Sequence, residues 1–136
     1  MYGDVERVRI QNQRFYDALS NQNLLTMEQL WSHSHYVRCV HPGWQMLTGW
    51  DSIRDSWRSI FTRSICLTVE PQVAEVFVLG TMAVVSCREK ISSFTLEGSV
   101  VSAAEATNIF EKKDGRWLLI HHHASPVASP EKSEEG

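Results

Sequence analysis

The sequence predicts an α+β fold: a cone-like curved antiparallel sheet wrapped around N-terminal helices, with an internal pocket between them. Three observations predict it. Apolar residues recur at helical spacing before Arg63, and from Ile65 onward the period changes to two. Asp114-Gly115 then separates two apolar-rich runs, the strongest short-range hairpin signal available to a sequence. Helices first and a long meander last leave the sheet covered on one face and open to solvent or a partner on the other.

Residues 4–20 read as a helix in which Val5, Val8, Phe15 and Leu19 share a stripe, with Tyr16 at its edge. Ser20-Asn21-Gln22-Asn23 is a polar break. A short helix follows, in which Thr26 and Gln29 have capping-box spacing and Leu30 and Trp31 supply the buried side. Tyr36 to His41 is a short strand ending at Pro42-Gly43, which turns the chain. Trp44 to Trp50 loops to a third helix capped by Asp51, with Ile53, Trp57, Ile60 and Phe61 at helical spacing. Asp51 and Asp55 early and Arg58 and Arg63 late suit the helix dipole. Residues 65–79 and 82–93 read as long strands, with Pro71 marking a bend or an edge. Residues 99–112 and 116–124 complete the meander.

Two registers compete for the last hairpin. A two-residue turn pairs Lys113 with Arg116 and puts Asn108 on one face with His121 and His123. A three-residue turn makes Gly115 a bulge and pairs Lys112 with Arg116. That version gathers Asn108, Phe110, Leu118, Ile120 and His122 and sends Trp117, His121 and His123 outward. It is preferred here, because an apolar face carrying two inward polar groups has the character of a ligand pocket.

The 136 residues suit one domain over 1–126, followed by a charged, small-residue tail over 127–136 expected to be disordered. A net charge of −3 argues against a general nucleic-acid binder. Cys39, Cys66 and Cys87 are odd in number and lie inside predicted strands, so they read as reduced, buried thiols of a cytoplasmic protein. No signal peptide and no run long enough to span a bilayer is seen, so no membrane partner is expected.

The order of elements, together with several motifs, resembles the nuclear transport factor 2-like superfamily and, within it, the SnoaL-like group. The motifs are Phe15-Tyr16-Asp17-Ala18-Leu19, His41-Pro42-Gly43-Trp44, Gly49-Trp50-Asp51-Ser52-Ile53-Arg54 with Trp57, and Phe110 through Ser125. The last hairpin also resembles the association domain of calcium/calmodulin-dependent kinases, an oligomerisation module. That domain carries arginines where this chain has Asn108 and Ala124. The resemblance implies a cone-shaped domain with a pocket, usually a homodimer. It leaves activity open, since such folds host isomerases, cyclases, dehydratases and association modules.

Each candidate side chain has a chemical and a structural reading. Asn108 and His122 form the preferred polar pair: the amide orients the ring or bonds a carbonyl, and the imidazole moves a proton. The structural alternative is a buried hydrogen-bonded pair without a ligand. His41 either acts as an acid or base at the pocket mouth or holds the Trp44 loop. Tyr16, Trp44, Trp57 and Phe110 are the ligand-binding candidates, with core packing the alternative for Trp57. Consecutive strand residues alternate in direction, so His121, His122 and His123 cannot all converge, and no metal site is expected. Cys87 reads as a structural thiol. Glu75, Glu89, Glu97, Glu105 and Glu111 read mostly as solvated or facing a partner, with an inward base as the alternative reading for one of the five.

Two functions follow. The first is a small-molecule-binding domain, with cofactor-independent proton transfer of the isomerase, cyclase or dehydratase type on a small carbonyl-containing ligand. The second is a non-catalytic association module, paired through an outer sheet face around Trp117, Leu119 and Ile109. A homodimer through that face is expected in either case.

Overall fold

Helix α1 (Asp4–Ser20) begins where Asp4 and Glu6 place negative charge in the first turn. It ends at Asn21, just before Gln22 takes a positive φ of 52°. Its buried stripe is Val8, Asn12, Phe15, Tyr16, Ala18 and Leu19. Asn12 therefore sits inside the stripe, four residues from both Val8 and Tyr16, whereas Val5 is exposed. The computed structural model describes residues 3–128, apart from the Ala74 side chain. The tail expected beyond residue 126 lies mostly outside the described residues.

Helix α2 (Leu24–Leu30) is capped by Asn23, whose side chain accepts a bond from the Thr26 N–H at 3.1 Å. Thr26 is thus the recipient of a cap and not the cap itself. Strand β1 (Arg38–Val40) and strand β2 (Leu47–Thr48) flank the Pro42-Gly43 turn. Helix α3 (Trp50–Arg63) starts after Gly49, which holds a φ of 87°. Asp51 lies inside the first turn, where it serves the dipole and not the cap.

Strands β3 (Cys66–Leu79), β4 (Met82–Thr95), β5 (Gly98–Lys113) and β6 (Arg116–Pro126) form an antiparallel meander. The six-stranded order is β2-β1-β6-β5-β4-β3, and β1 joins β6 in parallel. The parallel step arises because β1 enters from the helical half and lies beside the last strand. Pro71 is on β3, the edge strand, where its missing N–H removes little pairing. Helix α1 lies across the sheet, fastened where Ser20 Oγ accepts the Val69 N–H at 2.9 Å. Phe15, Tyr16, Trp31, Trp57, Phe110 and Leu119 fill the space between helices and sheet. Cys39 and Cys87 are buried there, but Cys66 is exposed at the start of the edge strand.

The last hairpin corrects the preferred register. Lys113 pairs with Arg116 across a two-residue turn in which Asp114 and Gly115 both take positive φ, 51° and 77°. The bulge lies further along: Ile109 pairs with His121 and Phe110 with Leu119, leaving Ile120 as the extra residue. Trp117 and Leu119 consequently point into the core, and past Ile120 the parity flips so that His122 and Ala124 also point inward. Asn108 and His122 still share the inward face, as the bulged-turn reading expected, but here they are direct cross-strand partners and the cause is the bulge at Ile120. Two of the three residues expected on the outer apolar face, Trp117 and Leu119, are instead in the core.

Gly115→Ala forces a Cβ into left-handed backbone at a site with open space around it, so only conformational strain changes. Urea unfolding should show a loss of about 1 kcal/mol with an unchanged m-value. A neutral substitution there would contradict the turn geometry.

Candidate active site

The alternation of β4 carries Ala83, Val85, Cys87 and Glu89 to the buried face, so a carboxylate enters the core at the end of an apolar run. On β5 the same alternation brings in Ala104, Ala106, Asn108 and Phe110, and on β6 it brings in His122. Helix α1 supplies Asn12 and Tyr16 from above, one helical turn apart.

These groups form one hydrogen-bonded chain. Asn108 Nδ2 donates to Asn12 Oδ1 at 2.8 Å and to the Tyr16 hydroxyl at 3.1 Å. Tyr16 in turn donates to Glu89 Oε2 at 2.6 Å, with Cys87 Sγ 3.2 Å from the same hydroxyl. The remaining Asn108 oxygen is an acceptor, so His122 Nδ1, 2.6 Å away, carries the proton. The other ring nitrogen, His122 Nε2, is left with a lone pair 3.8 Å from Glu89 Oε2.

Burial decides the charges. It pushes the Glu89 carboxyl up to about 7, although the Tyr16 bond pulls the other way. Burial, with the neighbouring imidazoles, holds His122 well below the usual histidine range. The Tyr16 hydroxyl is raised well above its ordinary value by burial and by Glu89, and Cys87 is pushed up to about 11 by burial. Although Glu89 and His122 are within ion-pair distance, both shifts favour their neutral forms. The pair is a carboxyl beside a neutral imidazole, not a salt bridge, near and below neutrality.

A second imidazole stands close by. His41 Nε2 is 2.8 Å from Ser56 Oγ, and Ser56 donates its own proton to the Ile53 carbonyl at 2.7 Å. His41 must therefore be the donor through Nε2, which leaves Nδ1 bare. Burial lowers its pKa to about 4. Its ring packs edge-on against Trp44 and Trp57, with centroids 4.7 and 4.5 Å away.

A cavity of about 230 Å³ opens beside this cluster. His41, Trp44, Trp57, Glu89, Ile91 and His122 are among its lining residues. It lies below the roughly 300 Å³ usual for drug-sized ligands, which suits a smaller molecule. A wider groove of about 830 Å³ runs over the opposite sheet face past Ile109, His121 and His123. The smaller cavity is the better candidate, because the buried ionisable groups converge there.

Of the residues singled out by sequence, His41, His122, Trp44 and Trp57 line this cavity. Tyr16 and Asn108 stand one layer behind, bonded to Glu89 and His122. Phe110 pairs with Leu119 in the core and is not among the lining residues. Sequence reasoning named Glu89 only as one of five glutamates of which one could turn inward, and it did not mention Asn12 or Ser56. The period-two run Ala83, Val85, Cys87, Glu89 was the signal that could have found the carboxylate. His121 and His123 face outward, and no group of three or more metal-ligating side chains suited to an ion occurs among the described residues.

Comparison with known proteins identifies the family and several relatives of this chain. The SnoaL-like domain family matches residues 8–129. A candidate dehydratase of the NTF2-like family from Streptomyces avermitilis superposes with a TM-score of 0.85 at 33% identity, covering 93% of this chain and 97% of that one. The F-box protein SKIP8 of Arabidopsis thaliana is 27% identical over 114 residues, or 84% of this chain, which spans only 47% of that protein. A candidate calcium/calmodulin-dependent protein kinase type II association domain from Thiobacillus denitrificans shares the fold, with a TM-score of 0.76 at 24% identity, covering 86% of this chain and 92% of that one.

The shifted groups set opposite pH trends. Glu89 binds its proton more tightly folded than unfolded, so its contribution is whole below about 4.5 and is lost as pH rises through about 7. His41 is depressed, so its contribution is whole above 6.5 and is lost as pH falls through about 4. Glu89→Gln should therefore be more stable than the unaltered protein at pH 8, by up to roughly 3 kcal/mol. The gap should close by pH 4.5. Denaturant unfolding at both pH values checks this, and a gap independent of pH would contradict a buried, protonatable Glu89.

Proposed function

Because the chain belongs to the SnoaL-like domain family, we propose that it binds a small carbonyl-containing molecule beneath its helices and moves protons on it. The observation that carries this reading is the pairing of Glu89 with His122. Two buried titratable groups with oppositely shifted affinities, 3.8 Å apart, border one cavity. Such a pair supplies a proton donor and a proton acceptor at the same pH.

In this mechanism His122 Nε2 removes the proton next to the carbonyl, and the C–H electrons move into an enolate. The Glu89 carboxyl delivers its proton to the carbonyl oxygen, to another carbon or to a departing hydroxyl. Those outcomes correspond to enolisation, isomerisation and dehydration. Asn108 holds the ring of His122 by its Nδ1–H, and Tyr16 steadies Glu89. Trp44 and Trp57 offer flat apolar walls, and Phe110 supports the core behind them. His41 has the smaller part: a neutral imidazole that braces Trp44 and Trp57 and adds a second basic nitrogen near the mouth. The proposed chemistry uses protein groups alone, without cofactor or metal. The related candidate dehydratase of Streptomyces avermitilis supports a reaction of this class.

The outer sheet face supports a second reading, pairing of two copies of the chain. It carries a broad groove past Ile109, His121 and His123, and Phe77 on the edge strand is about half exposed. No described helix is long and apolar enough to cross a membrane. The free, buried thiols of Cys39 and Cys87 support a reducing compartment such as the cytoplasm.

A thermal-shift screen of small ketones, aldehydes and enols provides candidate substrates, since a ligand of the folded state raises its midpoint. On a compound that is turned over, His122→Ala and Glu89→Gln should each lower kcat by about 10²–10⁴. The kcat/KM profile should show an apparent pKa near 7 that Glu89→Gln abolishes. Unaltered turnover in both variants would remove the mechanism. Light scattering should give twice the 15.6 kDa chain mass, and a monomer would end the pairing proposal.

A further inference from the structure

The direction of each hydrogen bond around the cavity can be read from its partners, and together they restrict what the cavity accepts. The Asn108 amide spends both donor contacts on Asn12 and Tyr16, so its oxygen must receive the His122 Nδ1 proton. This makes His122 Nε2 a lone pair. The Tyr16 hydroxyl is committed to Glu89 Oε2, while among the described residues Glu89 Oε1 has no hydrogen-bond partner. His41 spends its proton on Ser56, whose own proton is spent on the Ile53 carbonyl. The Trp57 indole N–H is buried and has no hydrogen-bond partner among the described residues. Ser102 remains as a hydroxyl among the lining residues. Among the described residues no lysine or arginine lines the cavity.

We infer that this cavity takes an uncharged, hydroxyl-bearing carbonyl compound and rejects carboxylates and phosphates, because its polar wall presents lone pairs and no cation. The inference rests on the reading that the cavity binds a small molecule, and it names the class. A ligand hydroxyl donates to His122 Nε2 or, where the carboxyl is ionised, to Glu89 Oε1, satisfying an acceptor left without a partner among the described residues. A carbonyl oxygen accepts from Ser102. An anion meets the lone pair of His122 and the carboxyl of Glu89 in a wall of low polarity, with no compensating positive charge. A ketone without a hydroxyl leaves the acceptors unpaired, which costs affinity much as a missing hydroxyl does in any site built around one.

The probes share one six-membered ring: 3-hydroxycyclohexanone, cyclohexanone and 3-hydroxycyclohexanecarboxylate, each titrated by calorimetry and by thermal shift at pH 8. The expected order has the hydroxyketone binding at least tenfold tighter than cyclohexanone, and the carboxylate giving no shift. At pH 8 the Glu89 carboxyl is mostly ionised, so Glu89→Gln replaces an acceptor-only carboxylate by an amide with a donor and removes the charge. The carboxylate probe should then bind at least tenfold more tightly than to the unaltered protein. Equal binding of the carboxylate and the hydroxyketone to the unaltered protein would overturn the selectivity while leaving the ligand-binding reading in place. So would equal binding of cyclohexanone. Absence of binding by all three probes would count against both.

Discussion

The structure depends on how it accommodates one carboxyl group and two imidazoles inside an apolar core. A buried polar group without a partner costs about 1–3 kcal/mol, and an isolated buried charge costs far more. Near and below neutrality Glu89, His41 and His122 meet this constraint in the same way, by favouring their neutral forms and taking hydrogen bonds of defined direction. Asn12, Tyr16 and Asn108 exist in the core to complete that arrangement. The helix α1 stripe accordingly gives up an apolar position at Asn12, and β4 gives up one at Glu89.

The sheet geometry follows from the same requirement. A regular register from the Asp114-Gly115 turn would put His122 on the outer face. The extra residue at Ile120 shifts the parity, so that Trp117 and Leu119 pack below while His122 reaches Asn108. One bulge therefore converts a plain core-covering strand into one that ends in a buried imidazole. The helices complete the site from the other side. Helix α1 delivers the groups that orient the pair, and α3 delivers Trp57 and the Ser56 hydroxyl that fixes His41.

The cavity and the outer groove have different characters. The outer groove is larger and open, flanked by the Arg88–Glu105 ion pair and by outward imidazoles. The inner cavity is smaller, walled by indoles, and bordered by groups whose proton affinities burial has displaced. Displacement of that kind lowers stability at some pH values. An apolar side chain would fill the same place without that penalty.

Much of the molecule was legible in the sequence. Helical spacing and its replacement by period two located every long element, and proline and glycine marked the turns, because these are local preferences of the backbone. The inward pairing of Asn108 and His122 was legible as chemistry, but the route to it was not. Where a strand takes an extra residue depends on how Trp117 and Leu119 fill the space under α1, which no local pattern reports. Glu89 belonged to an alternating run that pointed inward, yet a glutamate on a strand ordinarily faces water. Only the Tyr16 hydroxyl arriving from a helix seventy-three positions away makes its burial tolerable. The sequence by itself determined the elements and their order, since those follow from short-range sterics and periodicity. The tertiary structure decided which side chains share the cavity and which are charged, because burial and hydrogen-bond direction arise only when distant segments meet.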